Sequence, residues 1–321
     1  MTDAVAAKAR LAAGIHPIPA GHFLMGSDHH YPEEAPAHRV RVAAFEIDET
    51  CVTNRQFAAF VSDTGYVTVA ERPLDPGVYP GAAPHELLPG AVVFHMTKGP
   101  VDTRDFRNWW AWVTGACWRH PEGPGSTIKG RKDHPVVQVA YEDAEAYAAW
   151  AGKALPTEAE WEFAARGGLD GREYAWGDEL VPRGRHLANT WQGAFPWQNL
   201  VEDGYPGTCP VRSFPPNGYG LYEVCGNVWE WTTDWFAPKH ERQTAEDAAK
   251  PGCCVADNPR GPGKEGSYDP AQPAMLIPRR VVKGGSFLCA PSYCRRYRPA
   301  ARHAQMVDTG TSHIGFRCLR R

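Results

Sequence analysis

The sequence has no excess of charge of one sign and no long apolar run. Its 34 lysines and arginines are balanced by 37 aspartates and glutamates, which leaves a net charge of −3. Nucleic acids and anionic lipid surfaces are bound by strongly basic patches, which this composition does not supply. A membrane-spanning helix needs roughly 20 predominantly apolar residues, and no segment is that apolar. We therefore expect neither a nucleic-acid partner nor a membrane partner.

The sequence also lacks the features of a secreted protein. Residues 1–14 contain no apolar core typical of signal peptides, and no Asn-x-Ser/Thr glycosylation acceptor occurs. The nine cysteines are odd in number and irregularly spaced, so they form a poor disulfide framework. We expect a cytoplasmic protein with mostly reduced thiols. The adjacent Cys253 and Cys254 fall in a polar segment, and we interpret them as a feature of a loop.

Regular periodicity is scarce, and glycine and proline, with 32 and 29 residues, are spread along the whole chain. The 12 tryptophans provide large rings that can order a core with few regular elements. No stretch is typical of a linker between two cores. These features predict one α+β domain over residues 16–321, with little regular secondary structure and with long ordered loops. We expect a flexible N-terminal extension at residues 1–15.

Three helices are predicted, at residues 53–60, 142–151 and 158–166. Thr53 with Gln56, and Thr157 with Glu160, follow the capping-box pattern, in which each of the two side chains accepts a backbone N–H of the other residue. Gly167 suits the left-handed position that ends a helix. Short strands are predicted at residues 39–45, 136–139, 280–283 and 315–319.

Two cysteines, Cys289 and Cys294, are separated by four residues in a basic segment. This spacing does not match the Cys-x-x-Cys pattern of zinc ribbons and thioredoxin-like proteins. Two thiolates suit a soft monovalent ion such as copper(I), and cationic neighbours favour thiolate over thiol. Four arginines follow the pair: Arg295, Arg296, Arg298 and Arg302. The residues alone leave three interpretations open, namely buried structural cysteines, a disulfide, and a metal or redox site.

Motifs along nearly the whole chain resemble those of the formylglycine-generating enzymes, the sulfatase-modifying factor family. They occur in the family's order and include the cysteine pair. The matching stretches include Gly21-His-Phe-Leu-Met-Gly-Ser27, Glu34-Ala-Pro-Ala-His38, Trp118-Arg-His-Pro-Glu-Gly-Pro124, Leu155-Pro-Thr-Glu-Ala-Glu-Trp161, Ala188-Asn-Thr-Trp-Gln-Gly193, Gly226-Asn-Val-Trp-Glu-Trp231, Lys283-Gly-Gly-Ser286 and Gly315-Phe-Arg-Cys318.

The resemblance implies a single domain with a C-type-lectin-like core, and an activity. The expected reaction is the oxidation of the cysteine in a Cys-x-Pro-x-Arg motif to Cα-formylglycine, with O₂ as co-substrate. Cys289 and Cys294 would bind copper(I), with Cys294 as the more buried anchor, and the substrate thiolate would be a third sulfur ligand. Ser286 would help to hold O₂ or the substrate sulfur, and Tyr293 would shape the pocket. The expected partner is an unfolded or nascent sulfatase, and the protein is expected to be a monomer.

The resemblance also implies two structural calcium sites. Carboxylate, amide and carbonyl oxygens are the ligands that calcium prefers. The residues expected at the first site are Asn189 and Asp203, with the carbonyl oxygens of Thr190 and Tyr205. Those expected at the second site are Glu223 and Glu230, with the carbonyl oxygens of Gly226 and Val228.

In secreted members of the family, the cysteine equivalent to Cys318 pairs with a cysteine on the third helix, where this chain has Ala165. The missing partner agrees with a cytoplasmic location. Two other functions are considered. One is a non-catalytic lectin-like module that binds peptides, because lectin-like folds often only bind. The other is an iron-dependent sulfoxide synthase of the same superfamily, whose N-terminal helical domain with a His-x-x-x-His-x-Glu pattern we do not find before Gly21.

Overall fold

The computed structural model describes residues 14–79, 81–85, 87–240, 255–273 and 275–321. Cys253 and Cys254 lie outside the described residues. Within these residues the chain forms three α-helices, α1 at Asn54–Thr64, α2 at Tyr141–Trp150 and α3 at Glu158–Arg166. The strands in the described residues are β1 Ile15–Ile18, β2 Gly21–Met25, β3 His38–Val42, β4 Phe45–Asp48, β5 Gly90–Phe94, β6 Trp110–Thr114, β7 Trp229–Trp235, β8 Ala256–Asp257, β9 Arg279–Lys283, β10 Arg302–Met306, β11 Ile314–Gly315 and β12 Leu319–Arg320.

The strands form four small sheets. The largest has the order β10-β9-β7-β11, in which β11 pairs with β7 in parallel and the other neighbours are antiparallel. Two three-stranded sheets have the orders β1-β4-β12 and β2-β3-β8, and β5 and β6 form a separate hairpin. Much of the described chain lies outside helices and strands, as expected for an α+β domain with long ordered loops. None of the described helices is long and apolar enough to cross a membrane.

The helix ends follow local sequence signals. Thr53 accepts the backbone N–H of Gln56, and the side chain of Gln56 accepts the N–H of Thr53 in return. Thr157 and Glu160 make the same capping box at α3, and Gly167 ends that helix with φ of 57°. These contacts satisfy backbone groups that a helix end otherwise leaves without partners, which is why α1 and α3 were predictable.

The strand predictions are only partly correct. The strand predicted at residues 280–283 is confirmed as β9, and that at 39–45 is divided between β3 and β4. The strand predicted at residues 136–139 is wrong, because Gln138 has φ of 59°. Its N–H donates to the carbonyl oxygen of Thr311 at 2.9 Å. Val136 and Val137 are buried, so the apolar pattern there reflects packing in the core.

The main core lies between the helices α1 and α2 and the four-stranded sheet. The ring of Phe57 on α1 stacks at 6.0 Å from that of Tyr147 on α2, and Tyr147 contacts Phe316 edge-to-face at 5.4 Å. Cys289 and Tyr297 belong to the same buried cluster. The segment that follows β9 is therefore anchored in the core, although it has no regular secondary structure.

Candidate active site

The two sulfur atoms of the cysteine pair lie side by side shortly after β9. Gly285 has φ of 71°, a left-handed conformation that glycine adopts without strain. The N–H of Cys289 donates to the carbonyl oxygen of Ser286 at 2.9 Å, and the N–H of Cys294 donates to that of Ala290 at 2.8 Å. These turns bring the Sγ atoms of Cys289 and Cys294 to 3.4 Å, well beyond a disulfide bond of about 2.05 Å.

The two cysteines differ in burial. Cys289 is only 2% exposed and packs in the main core, whereas Cys294 is half-buried. The expectation that Cys294 is the more buried anchor is therefore wrong. The reason is the order of the turns: Cys289 follows the strand into the core, and Cys294 returns towards the surface. A ligand arriving from solvent reaches the Cys294 sulfur first.

The two thiols of the pair differ in pKa. The hydrogen bond from the Cys289 thiol lowers the pKa of Cys294 most, and Arg296 lowers it further against the opposing effect of burial, to about 6. Burial raises the pKa of Cys289 well above its ordinary value, and the neighbouring Cys294 raises it further. At neutral pH the pair therefore consists of a buried thiol at Cys289 and a thiolate at Cys294.

Arg296 connects the pair to the N-terminal part of the chain. Its Nη1 lies 3.7 Å from the Cys294 sulfur, and its Nη2 donates to Glu33 Oε1 at 2.6 Å. The guanidinium stacks on the ring of Tyr31 at 3.8 Å. A charge held on three sides keeps one orientation, so Arg296 presents a fixed positive charge to the Cys294 thiolate.

The other arginines of the basic segment have different partners. Arg298 donates to both oxygens of the buried Glu34, with Nη1 at 2.7 Å from Oε2. Arg302 donates to Glu158 at 2.8 Å. The sequence argument that many cations favour the thiolate therefore holds for Arg296, while Arg298 and Arg302 anchor the segment to the core.

Ser286 and Tyr293, the other two residues expected at the site, differ in burial. Ser286 is fully buried, its N–H donates to the Cys289 sulfur at 3.4 Å, and its hydroxyl oxygen accepts the N–H of Leu288 at 3.2 Å. Tyr293 is at the surface, where its ring stacks on Phe195 at 4.5 Å and meets Trp109 edge-to-face at 5.5 Å. Ser286 thus shapes the buried side of the pair, and Tyr293 forms a wall at its entrance.

The sulfur pair fits a soft monovalent ion. Two sulfur atoms face each other, and one of them is deprotonated at neutral pH. Structural zinc requires four ligands, and the described residues contain no group of three or more His, Cys, Asp or Glu side chains placed to hold a metal. Copper(I) prefers sulfur and suits a site that offers only thiolates.

The residues expected at the first calcium site are brought together. Asp203 accepts the N–H of Thr190 at 2.9 Å and that of Tyr205 at 3.0 Å. The Oδ1 atom of Asn189 is buried and has no hydrogen-bond partner. A buried amide oxygen without a donor is costly unless something positive binds it, so these residues fit a calcium ion.

The residues expected at the second calcium site do not fit one. Both carboxylate oxygens of Glu230 accept hydrogen bonds from Arg317, at 2.7 and 2.8 Å. Glu223 accepts the backbone N–H groups of Arg212 and Phe214. The guanidinium of Arg317 supplies the positive charge that calcium would have supplied to Glu230. Among the described residues, Asp203 also accepts hydrogen bonds, but only from neutral donors, so the cationic partner of Glu230 is what makes Glu223, Gly226, Val228 and Glu230 a poor fit for calcium.

Sequence reasoning missed the residues that surround the pair from distant parts of the chain. Glu33 and Tyr31 precede Arg296 by more than 260 positions, and Trp109 and Phe195 come from two further segments. Spacing in sequence gives no signal for such contacts. The motif at residues 34–38 does mark this N-terminal region as part of the shared pattern.

Comparison with known proteins shows the family to which the chain is similar. A family model described as "Sulfatase-modifying factor enzyme 1-like domain" matches residues 2–321. The formylglycine-generating enzyme of Mycobacterium tuberculosis is 57% identical over 302 residues, which are 94% of this chain and 96% of that protein. That of Bos taurus is 47% identical over 307 residues, 94% of this chain and 73% of that protein. The structure of PvdO from Pseudomonas aeruginosa has the same fold, with a TM-score of 0.60, 23% identity and coverage of 96% of this chain and 94% of the other.

Proposed function

The chain belongs to the sulfatase-modifying factor family, and from this membership we propose that it converts a cysteine of a sulfatase into Cα-formylglycine with copper(I) and O₂. Its similarity to formylglycine-generating enzymes over most of its length identifies it as an oxidoreductase of that type. The proposed target is the cysteine of a Cys-x-Pro-x-Arg motif in an unfolded or nascent sulfatase. The observation that carries the proposal is the pair of sulfur atoms at 3.4 Å, one buried and one accessible.

Cys289 and Cys294 are the residues that would hold copper(I). Once bound, copper supplies the redox chemistry with O₂ that is needed to break a strong Cβ–H bond, which protein acids and bases cannot do. The Cys294 thiolate is ready to bind a metal at neutral pH without losing a proton, and Arg296 keeps its charge oriented. The buried Cys289 gives the site a fixed side from which water is excluded.

The entrance to the pair suits a polypeptide thiol. Tyr293, Phe195 and Trp109 form one wall, and Arg296 with Glu33 forms another. A substrate cysteine that enters between them reaches the Cys294 side first, because Cys289 lies below it in the core. The aromatic wall excludes water from one side of the incoming thiol, and Ser286 shapes the buried side.

Two further features are part of the proposal. One calcium ion would bind at Asn189 and Asp203 with the carbonyl oxygens of Thr190 and Tyr205, where the unpartnered Asn189 oxygen supports it. We also propose a monomer that works in the cytoplasm; the seven cysteines in the described residues are all free, which is compatible with a reducing compartment.

The test is the conversion of a Leu-Cys-Thr-Pro-Ser-Arg peptide by the copper-loaded protein, followed by mass spectrometry. Cys289→Ser and Cys294→Ser should each abolish conversion and weaken copper(I) binding, measured separately by competition with a chromogenic chelator. Cys117→Ser, at a buried cysteine elsewhere in the fold, is the matched control and should retain both. Full conversion by Cys289→Ser, or conversion that iron restores and copper does not, would contradict the proposal.

A further inference from the structure

Asn227 lies between the first calcium site and the segment that carries the cysteine pair. It is only 1% exposed, and its φ of 55° is a left-handed conformation, which asparagine adopts more readily than most residues that carry a side chain. A buried residue keeps such a conformation because the contacts around it require it. The contacts of Asn227 therefore indicate its role.

The side chain of Asn227 fixes the orientation of Asn189. Its Oδ1 accepts the backbone N–H of Cys209 at 3.0 Å, which identifies that atom as the oxygen, and it also accepts a hydrogen bond from Nδ2 of Asn189 at 3.3 Å. The carbonyl oxygen of Gly207 accepts from the same Nδ2 at 2.8 Å. Because both partners of Asn189 Nδ2 are acceptors, the amide cannot turn over. Its unpartnered atom is therefore Oδ1, the calcium ligand proposed above.

The backbone of Asn227 and of its neighbour Gly226 joins Asn189 to the cysteine segment. The N–H of Asn227 donates to the carbonyl oxygen of Asn189 at 2.8 Å, and the carbonyl oxygen of Asn227 accepts the N–H of Phe287 at 3.0 Å. The N–H of Gly226 donates to the carbonyl oxygen of Gly284 at 2.9 Å. A Cβ at Gly226 would lie 2.3 Å from the Asn189 carbonyl oxygen, so only glycine allows this close approach. The start of the cysteine segment is thus held by the residues that hold Asn189.

A second connection between the two sites runs through Trp191. The N–H of Trp191 donates to the carbonyl oxygen of Cys289 at 3.0 Å. Trp191 directly follows Thr190, whose carbonyl oxygen is an expected calcium ligand. The Trp191 ring is only 2% exposed and belongs to one buried cluster with Phe287 and Leu288. The backbone of one expected copper ligand is therefore hydrogen-bonded one residue away from an expected calcium ligand.

A bound calcium ion would restrict the motion of these connections. Its expected ligands come from two segments, residues 189–190 and 203–205, so the ion joins them. Copper(I) needs two sulfur atoms at a fixed separation, and any ordering of the cysteine segment that copper must cause lowers its affinity. An ion that has already ordered the segment removes part of this entropic penalty. The effect is reciprocal, because linkage requires each ion to change the affinity for the other by the same factor.

We propose that Asn227 is a positioning residue that couples the first calcium site to the cysteine pair. Calcium bound at Asn189 orders the segment of Cys289 and Cys294 and thereby tightens its binding of copper(I). This inference rests on the proposed function, which supplies both ions. The ordering of the segment depends on the chain and on calcium alone, so it can be measured without copper.

The first measurement is the affinity for copper(I), by competition with a chromogenic copper(I) chelator in the absence of O₂. The wild-type protein is compared in excess calcium and after removal of calcium by an oxygen-donor chelator that binds copper(I) weakly. Calcium should tighten copper(I) binding by roughly tenfold, within the usual range of coupling between two sites. Calorimetric titration with calcium should show the same factor when copper(I) is present.

The second measurement is backbone hydrogen–deuterium exchange of residues 284–294 in the copper-free protein. Calcium should slow exchange of this segment in the wild type. In Asn227→Gly both effects of calcium should fall below about twofold, because glycine keeps the left-handed φ without strain but removes the amide that orients Asn189. Asn227→Asp keeps oxygen acceptors for the amide of Asn189 and the N–H of Cys209, and it should retain both effects.

Asn258→Gly is the matched control. Asn258 is also left-handed, with φ of 45°, and its Oδ1 accepts the N–H of Ala43 at 2.8 Å. Its other hydrogen bonds go to Arg41 and Asp257, away from either ion site. This variant should keep both effects of calcium.

Copper(I) that binds the wild type equally well with and without calcium would overturn the inference. So would exchange of the segment that does not respond to calcium, or an undiminished response in Asn227→Gly. Failure of the proposed function has a different signature. Calcium would still slow exchange in the wild type and not in Asn227→Gly, while copper(I) would not bind at the cysteine pair or the cysteine peptide would not be converted.

Discussion

Replacing Cys289 by alanine should raise the pH at which the Cys294 thiol becomes reactive, whereas replacing it by serine should change that pH little. The hydrogen bond from the Cys289 thiol is the strongest influence that lowers the pKa of Cys294, and burial opposes it. Alanine removes the donor and leaves Cys294 in the same partly buried position. Serine keeps an O–H donor at the same place, so it should restore the low pKa.

The magnitude decides which quantity to measure. A thiol with a pKa of about 6 is about nine-tenths thiolate at pH 7, and one with its ordinary pKa near 9.0 is about one per cent thiolate. Nucleophilicity falls with the pKa, by a factor of roughly 20 over three pKa units. The rates at pH 7 would therefore differ by only about fivefold, and the midpoint of the pH profile is the sharper measurement.

The assay is alkylation of the metal-free protein by iodoacetamide between pH 4 and pH 10, located at Cys294 by peptide mapping. Because an acid with a lowered pKa is deprotonated above that pKa, the wild-type rate should rise through about pH 6 and then level off. The alanine variant should show a midpoint well above this, and Cys294→Ser gives the background of the other thiols. A wild-type midpoint near pH 9, or equal midpoints in the alanine and serine variants, would refute the reasoning.

Three further predictions test the fold and the calcium sites. Arg298→Ala should lower the free energy of unfolding by about 3–5 kcal/mol in urea denaturation, because it leaves the buried Glu34 carboxylate without its partner; a loss under 1 kcal/mol would contradict this. Phe57→Ala should lower the free energy of unfolding by about 3–5 kcal/mol in the same assay, since its ring is fully buried in the main core. A loss as small as that of a surface substitution would contradict this. Asn189→Ala should abolish the rise in melting temperature that calcium causes in the wild type, whereas Glu230→Gln should leave that rise intact; the reverse result would move the ion to the second set of residues.

The parts of the fold that the sequence predicts are those set by local contacts. The helices α1 and α3 have their capping partners three residues apart, so the pattern is visible in the chain itself. Strands are different, because their partners are distant: β7 pairs with β9 and β11, and β11 follows it by about 80 residues. The apolar residues at 136–139 show the same limit, since the left-handed Gln138 depends on its contact with Thr311.

Some features of the candidate site can likewise be predicted from the sequence, and others depend on contacts between distant residues. The sequence predicts which cysteines form the pair and that a cation stands near them. It does not predict that Cys289 is the buried one, because burial depends on how the segment crosses the core. It also does not predict that Arg317 forms an ion pair with the carboxylate of Glu230, because that contact joins residues 87 positions apart. This contact is why the residues expected at the second calcium site fit calcium poorly.

Buried ion pairs explain how a segment without regular structure holds two sulfur atoms at a fixed separation. Lys283, just before the segment, donates to Glu162 on α3 at 2.9 Å, and Arg298, just after it, donates to Glu34. Such pairs add little net stability, because desolvation of the charges offsets their attraction, but an unpaired buried charge is costly. Any displacement of either end of the segment would break a pair. The ion pairs therefore fix the position of the segment more than they stabilise the fold. A metal site made of two sulfur atoms requires that fixed position.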